Sequence, residues 1–333
     1  MNPLTEVITN NKTDINPIWI MRQAGRYLPE FRNIRKNNKD FIKLCLNKDL
    51  SYEITLQPLK RFELDAAIIF SDILMVPYGL NQKIEFKKGF GPLLGDLNLE
   101  EILNVTEDDF IRKLSPIYKC ISMVSQDPII VNKSVIGFVG APWTLMVYMI
   151  NKQSPKLELK NDFYQDVNLI KKILTILEKF IKIHIKQQIE NGAEIIQIFD
   201  SWAGLLDNHN LENYIYNPTL SLVNFTKSLN TPVICFPRGI KNFKNFCETV
   251  RPDAICIDYD TNPLEIRKDI KIPVQGGMHP KILLTDRENL KKEAKKYLDI
   301  FRDHPYIFNL GHGVLPETDP NMMDYLVKTV KDY

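Results

Sequence analysis

A chain of 333 residues with 44% hydrophobic and 25% charged side chains can bury a large core, which excludes a disordered protein. Lysine and arginine number 43 against 41 acids, and a net charge of +2 gives no field that would draw nucleic acid or an anionic membrane. No apolar run approaches the roughly 20 residues of a membrane span, the N-terminus from Met1 to Lys12 is polar rather than signal-like, and the five cysteines are odd in number, so a cytoplasmic protein with buried thiols is expected rather than a disulfide framework.

Eight short apolar runs read as strands: Ile18–Met21, Ala66–Phe70, Val135–Val139, Glu194–Phe199, Val233–Phe236, Ala254–Ile257, Pro273–Val274 and Tyr306–Leu310. They are rich in β-branched and aromatic residues without strict alternation, the pattern of parallel strands covered on both faces. Helical periodicity fills the gaps, most clearly over Asp166–Asn191, where Asn191-Gly192 forms the stop, and over Leu284–Phe301, opened by Thr285-Asp286. No linker or repeat divides the chain, so a single domain over 1–333 is expected. Its fold class is α/β, as a (β/α)8 TIM-type barrel, although a doubly wound open sheet would read much the same in one dimension. A polar or small-residue motif follows nearly every run: Arg22-Gln23, Ser71-Asp72, Gly140-Ala141-Pro142, Asp200-Ser201, Pro237-Arg238, Asp258, Gly276-Gly277 and Gly311-His312. In a barrel these share the C-terminal rim, where βα-loops build active sites.

Four arginines, Arg22, Arg26, Arg32 and Arg35, follow the first strand, and their planar donor forks suit several carboxylates or phosphates; the alternative is a salt-bridged surface loop. Asp72 ends an apolar run, as an electrostatic stabiliser or as a helix cap, and Asp200-Ser201 could likewise cap the next helix. Tyr148 lies about two turns after Gly140, able to turn its hydroxyl toward the strand end or simply to pack in the core. His312, between two glycines, has room to meet a ligand or is a satisfied buried histidine. Metal-ligand spacings, Walker-type loops and dinucleotide glycine fingerprints are absent from the sequence, so chemistry without metal or cofactor is expected.

At these residues the chain resembles the uroporphyrinogen decarboxylase family. Pro17-Ile-Trp-Ile-Met-Arg-Gln-Ala-Gly-Arg-Tyr-Leu-Pro-Glu-Phe-Arg32 and Gly137-Phe-Val-Gly-Ala-Pro-Trp-Thr-Leu145 look like its two signature segments. Ile-Ile-Phe-Ser-Asp72, Gln-Ile-Phe-Asp-Ser201-Trp-Ala-Gly and Asn-Leu-Gly-His312-Gly-Val-Leu-Pro continue the likeness in order along the chain. The resemblance implies one barrel, a homodimer, no metal or organic cofactor, and uroporphyrinogen III as substrate, whose four acetate arms become methyl groups in coproporphyrinogen III. By motif it implies Arg22, Arg26 and Arg35 as carboxylate binders and Asp72 as acceptor of the pyrrole N–H groups. Tyr148, Ser201 and His312 would line the cleft, with Gln23 a further contact and Asp72, Arg22 and Tyr148 the catalytic set. Two departures stand on the rim: Gly277-Met-His279-Pro where the family commonly has Asn-Leu-Asp-Pro, and Tyr259 where Trp is usual. Two other readings are a barrel methyltransferase, which would need a zinc-thiolate site, and a non-catalytic tetrapyrrole carrier.

Overall fold

The computed structural model describes residues 2–87, 89–155, 166–206 and 210–333. Among these residues nine strands run in chain order: β1 (Ala66–Ile68), β2 (Ile84–Lys87), β3 (Gly91–Leu94), β4 (Ser134–Gly140), β5 (Ile195–Asp200), β6 (Val233–Pro237), β7 (Ala254–Ile257), β8 (Val274–Gly276) and β9 (Tyr306–Ile307). Seven form one parallel sheet in the order β1-β4-β5-β6-β7-β8-β9. The run expected at Ile18–Met21 contributes a single parallel bridge, Ile18 to Phe308, beside β9. On its other flank Asp65 N donates to Ile18 O at 2.8 Å, and Ile18 N donates to Asp65 Oδ2 at 2.7 Å. A side-chain carboxylate thus takes the place of a ladder carbonyl, and the curled sheet closes as an eight-position TIM-type barrel rather than an open doubly wound sheet. Lys331 Nζ lies 2.6 Å from the same carboxylate, tying the last helix, Pro320–Lys331, to the closure.

Each remaining expected run is a strand within a few residues, including the short one, which becomes β8. The antiparallel β2–β3 hairpin was not anticipated: its strands are only four residues each and lie outside the barrel, with Phe86 packed on Phe41 at 4.6 Å between ring centroids. The long periodic segment is the helix Val167–Glu190, ended by Asn191 and a left-handed Gly192 (φ 110°). Asp286 caps the helix Arg287–Ile300 by accepting from Asn289 N at 2.9 Å.

Strand alternation divides the apolar residues into two cores. Those on the outer faces pack under the helices, while Trp19, Ala66, Ile136, Ile195, Ile234, Ala254, Cys256 and Ile307 fill the barrel. Gln197 and Gln275 are buried there too: Trp19 Nε1 donates to Gln275 Oε1 at 2.9 Å, and Gln275 Nε2 to Gln197 Oε1 at 3.1 Å. The polar-looking N-terminus is a helix, Pro3–Asn10, whose Leu4, Val7 and Ile8 join the barrel-interior core. That packing leaves the C-terminal rim as the open end.

Candidate active site

The first loop is shaped by a turn that places Arg22 in the left-handed region (φ 62°), where a side chain costs about 1–2 kcal/mol. Its neighbours hold it there. Met21 N donates to Asn309 Oδ1 at 2.9 Å, Val314 N donates to Met21 O at 3.0 Å, and Gln23 N donates to Ile20 O at 2.8 Å. Gln23 itself faces inward: its Oε1 accepts from Ile20 N at 3.0 Å and its Nε2 donates to Ala66 O at 3.0 Å, with 1% of the residue exposed. Both ends of that amide bond the backbone, so Gln23 positions the turn that carries Arg22.

Among the described residues no carboxylate lies within 4.0 Å of Arg22, Arg26, Arg32 or Arg35; the loop's own Glu30 pairs with Arg61 instead. The salt-bridged alternative for this cluster therefore fails. The four differ in what they hold. Arg32 Nη1 donates to Arg26 O and Tyr27 O at 2.9 and 2.8 Å, fixing the loop from within. Arg35 Nη1 donates to Asn38 O at 2.6 Å and its guanidinium lies 5.5 Å from the Phe41 ring centroid, leaving part of its fork available. Arg22 and Arg26 are exposed, with both forks open.

Asp72 follows β1 by four residues in a turn where its Oδ1 accepts from Leu74 N at 2.9 Å. Oδ2 has no partner among the described residues. Burial raises the carboxyl to about 6, opposed by the Leu74 N–H and by the nearby Arg22 guanidinium. The group is therefore mostly ionised at neutral pH yet poised to lose its charge just below it. Tyr148, on the helix Pro142–Asn151, stands close enough to Asp72 and Arg22 to feel both charges; burial, first, and Asp72 raise its phenol, which keeps its proton. Its ring meets Trp202 edge-on at 5.9 Å, beside the half-buried Ser201.

His312 sits half-buried with its pKa lowered to about 4, by burial first and then by Arg22 and Arg238. The imidazole is neutral at physiological pH, and an anion settling among these groups would raise its proton affinity. The flanking glycines make room for neighbours rather than for a ligand. A Cβ on Gly313 would lie 2.3 Å from Arg22 Cδ, and one on Gly311 2.3 Å from Tyr259 N. The two rim departures prove adjacent: the Tyr259 and His279 rings are 4.2 Å apart. His279 Nδ1 accepts from Lys281 N at 3.0 Å.

Beneath the rim, Ile68, Phe138 and Phe199 point inward and keep partial exposure, whereas Ile136 and Ile195 lower in the barrel are closed off. Phe138 and Phe199 pack edge-on at 5.7 Å. The mouth thus has an apolar aromatic floor and a wall of basic and polar groups, the lining suited to a flat hydrophobic molecule fringed with carboxylates. A cavity of about 620 Å³ opens on the β5–β7 side, lined by Ser201, Trp202, Arg238 and Asp258 but not by Arg22, Asp72 or Tyr148.

The uroporphyrinogen decarboxylase family model matches residues 1–333. The chain belongs to the uroporphyrinogen decarboxylase family. It is 40% identical over 325 residues to the uroporphyrinogen decarboxylase of Rickettsia bellii, covering 95% of each chain, and 38% identical over 329 residues to that of Campylobacter jejuni, covering 96% of each. A methyltransferase from Methanosarcina mazei has the same fold, with a TM-score of 0.79 at 14% identity over 99% of this chain and 97% of its own. That likeness concerns the barrel alone. As a family member the chain is a carboxy-lyase of porphyrin biosynthesis. Arg22, Asp72, Tyr148 and His312 share one mouth, with Arg26 on the same loop as Arg22 and Arg35 on the helix Pro29–Asn37 that follows it. Arg238 was noted in the sequence only as a rim residue. Its position one residue past a strand was the available sign that it too belongs to the site.

Proposed function

We propose that the mouth removes carbon dioxide from the four acetate arms of uroporphyrinogen III, giving coproporphyrinogen III, with Asp72 as the principal catalytic group. The observation that carries this assignment is a carboxylate at the edge of an apolar floor, with one oxygen open among the described residues, beside an arginine that has no carboxylate within 4.0 Å among them. Losing carbon dioxide from an acetate arm leaves an electron pair on its carbon, and the pyrrole can take that pair once a ring carbon is protonated. The C–C bond then breaks into the cationic ring, the exocyclic carbon gains a proton, and the ring carbon gives one up. Each arm thereby exchanges one carbon dioxide for one proton. Asp72 Oδ2 accepts from the pyrrole N–H and stabilises the ring cation as it forms, worth more at this half-buried site than in water.

Arg22 binds the departing carboxylate; a guanidinium is too weak an acid to be the proton donor at neutral pH. Tyr148 keeps its proton and donates a hydrogen bond at the reacting arm. Arg26, Arg35, Ser201 and His312 hold the arms that are not reacting. One domain over 1–333, a homodimer, work without metal or organic cofactor, and a cytoplasmic location belong to the same reading. Five free cysteines, four of them buried, fit a reducing compartment, and among the described residues no helix is long and apolar enough to cross a membrane. Nucleic acid has no part in it, as the near-neutral charge anticipates.

Anaerobic incubation of the purified protein with enzymatically generated uroporphyrinogen III, followed by chromatography of the oxidised products, tests the assignment. Passage through seven-, six- and five-carboxylate species to coproporphyrinogen is expected, with loss in Asp72→Ala. Full turnover by a folded Asp72→Ala would remove Asp72 from the chemistry.

A further inference from the structure

Arg22 and Arg238 arise from opposite sides of the ring. The order is the Ile18 position, β1, β4, β5, β6, β7, β8 and β9, so the first position and β6, the fifth, face each other across the barrel. Both nonetheless come to the His312 segment: Arg238 Nη2 reaches Tyr259, whose ring centroid lies 6.4 Å from that of His312, and the Arg22 side chain packs against Gly313 beside it. Arg238 is half-buried, yet among the described residues it has no carboxylate within 4.0 Å, and its side chain's one polar contact is Nη2 to Tyr259 Oη at 3.5 Å, the limit of a hydrogen bond. Asp258, at the end of the neighbouring strand, is committed elsewhere: its carboxylate accepts from Gly239 N at 2.8 Å, Asp260 N at 3.1 Å and Thr261 Oγ1 at 2.7 Å. The Arg238 backbone is fixed on both sides, its N donating to Asp200 O at 3.1 Å and its O accepting from Gly204 N at 2.9 Å. A positioned, partly desolvated guanidinium without a counter-ion is a ready anion site, since a ligand carboxylate would supply the missing partner.

We propose that Arg238 is a second anion-binding position of the mouth. It takes a carboxylate from an arm of the macrocycle opposite the one held at Arg22, with the Tyr259 hydroxyl and ring steering its fork. The proposal rests on the tetrapyrrole reading above and adds a specificity device: two arginines facing each other across an apolar floor select a ligand whose carboxylates are spaced around a ring.

Arg238→Gln, Arg238→Lys and Tyr259→Phe test it, read by KM and kcat for uroporphyrinogen III and by the Kd for uroporphyrin, its oxidised, non-reacting form, from fluorescence titration. Arg238→Gln is expected to raise KM and Kd about tenfold with kcat changed less than about threefold, from loss of one charge-assisted pair. Arg238→Lys should recover part of the loss, and added salt should weaken wild-type binding more than that of Arg238→Gln. A folded Arg238→Gln with wild-type KM and Kd overturns the proposal, as does a loss confined to kcat. Should that variant fail to fold, Arg238→Lys and Tyr259→Phe decide: unchanged Kd in both overturns the proposal, and a Kd raised about threefold in Arg238→Lys supports it. Wild-type protein that binds uroporphyrin and decarboxylates nothing would sink the reaction while leaving Arg238 to be judged by Kd.

Discussion

Two strand-end aspartates look alike in the sequence, Phe70-Ser-Asp72 and Phe199-Asp200-Ser, and burial raises both, Asp72 to about 6 and Asp200 to about 7. Their surroundings differ entirely. Asp200 is the last residue of β5, where Ile195 and Phe199 point into the barrel, so alternation turns its carboxylate outward beneath the helix Pro142–Asn151. There its Oδ1 accepts from Thr144 Oγ1 at 2.5 Å, the Thr144 backbone N–H in the first turn of that helix also favours its charged form, its Oδ2 has no hydrogen-bond partner among the described residues, and it does not cap the Ala203–Leu205 turn that follows it. Thr144 in turn accepts from Trp202 N at 3.0 Å, so Asp200 secures the loop that carries Ser201. Asp72 lies beyond its strand in a turn that returns it over the mouth beside Arg22. A raised carboxyl pKa alone marks neither as catalytic; an open oxygen facing a cleft and an arginine does.

The sharpest test is to remove each acid in turn. Asp72→Ala should lower kcat about 10³-fold, as expected for a preorganised charge facing a developing cation, while leaving substrate binding within a few fold. A loss appearing in KM alone would make Asp72 a binding group only. Gln23→Ala leaves Ile20 N and Ala66 O without partners and should cost about 3 kcal/mol in urea unfolding; a cost under about 1 kcal/mol would show that the turn bearing Arg22 is held by other bonds.

Asp200→Asn should leave kcat within about twofold and raise stability at pH 8 by about 2 kcal/mol. The sign follows from its raised pKa. The folded protein keeps a proton that the unfolded chain releases above about 4, so wild-type stability falls as pH climbs from there through about 7 and is level beyond. The gain in Asp200→Asn should disappear below pH 4, and a pH-independent gain would contradict this account. The smallest effect is in the pH profile. kcat/KM should fall about tenfold per unit below pH 6 as free Asp72 takes up its proton, and a profile flat down to pH 5 would break the link between its charge and the reaction.

The sequence was legible where periodicity and motif length carry information. Eight apolar runs separated by helical spacing were enough to indicate a parallel α/β fold, as a barrel or a doubly wound sheet, and the long arginine and Gly-Ala-Pro-Trp motifs were enough to place the family and with it the barrel. Local pattern also showed that Arg22, Asp72, Tyr148 and His312 follow strands and so share a rim. It did not show that Gln23 faces inward while its neighbour Arg22 faces the mouth, because that choice depends on a left-handed turn held by Asn309 and Val314 nearly 300 residues away. The short β2–β3 hairpin lacked a run long enough to register. Tertiary structure also decided which side of the sheet each aspartate occupies, that Asp65 closes the barrel with a side chain, that Tyr259 and His279 touch, and that Arg238, across the ring from Arg22, has no carboxylate within 4.0 Å among the described residues. The physical reason is common to all of these. Strand and helix periods report which faces are apolar within a few residues, whereas the partner of a buried polar group is set by chain segments that meet only when the ring closes.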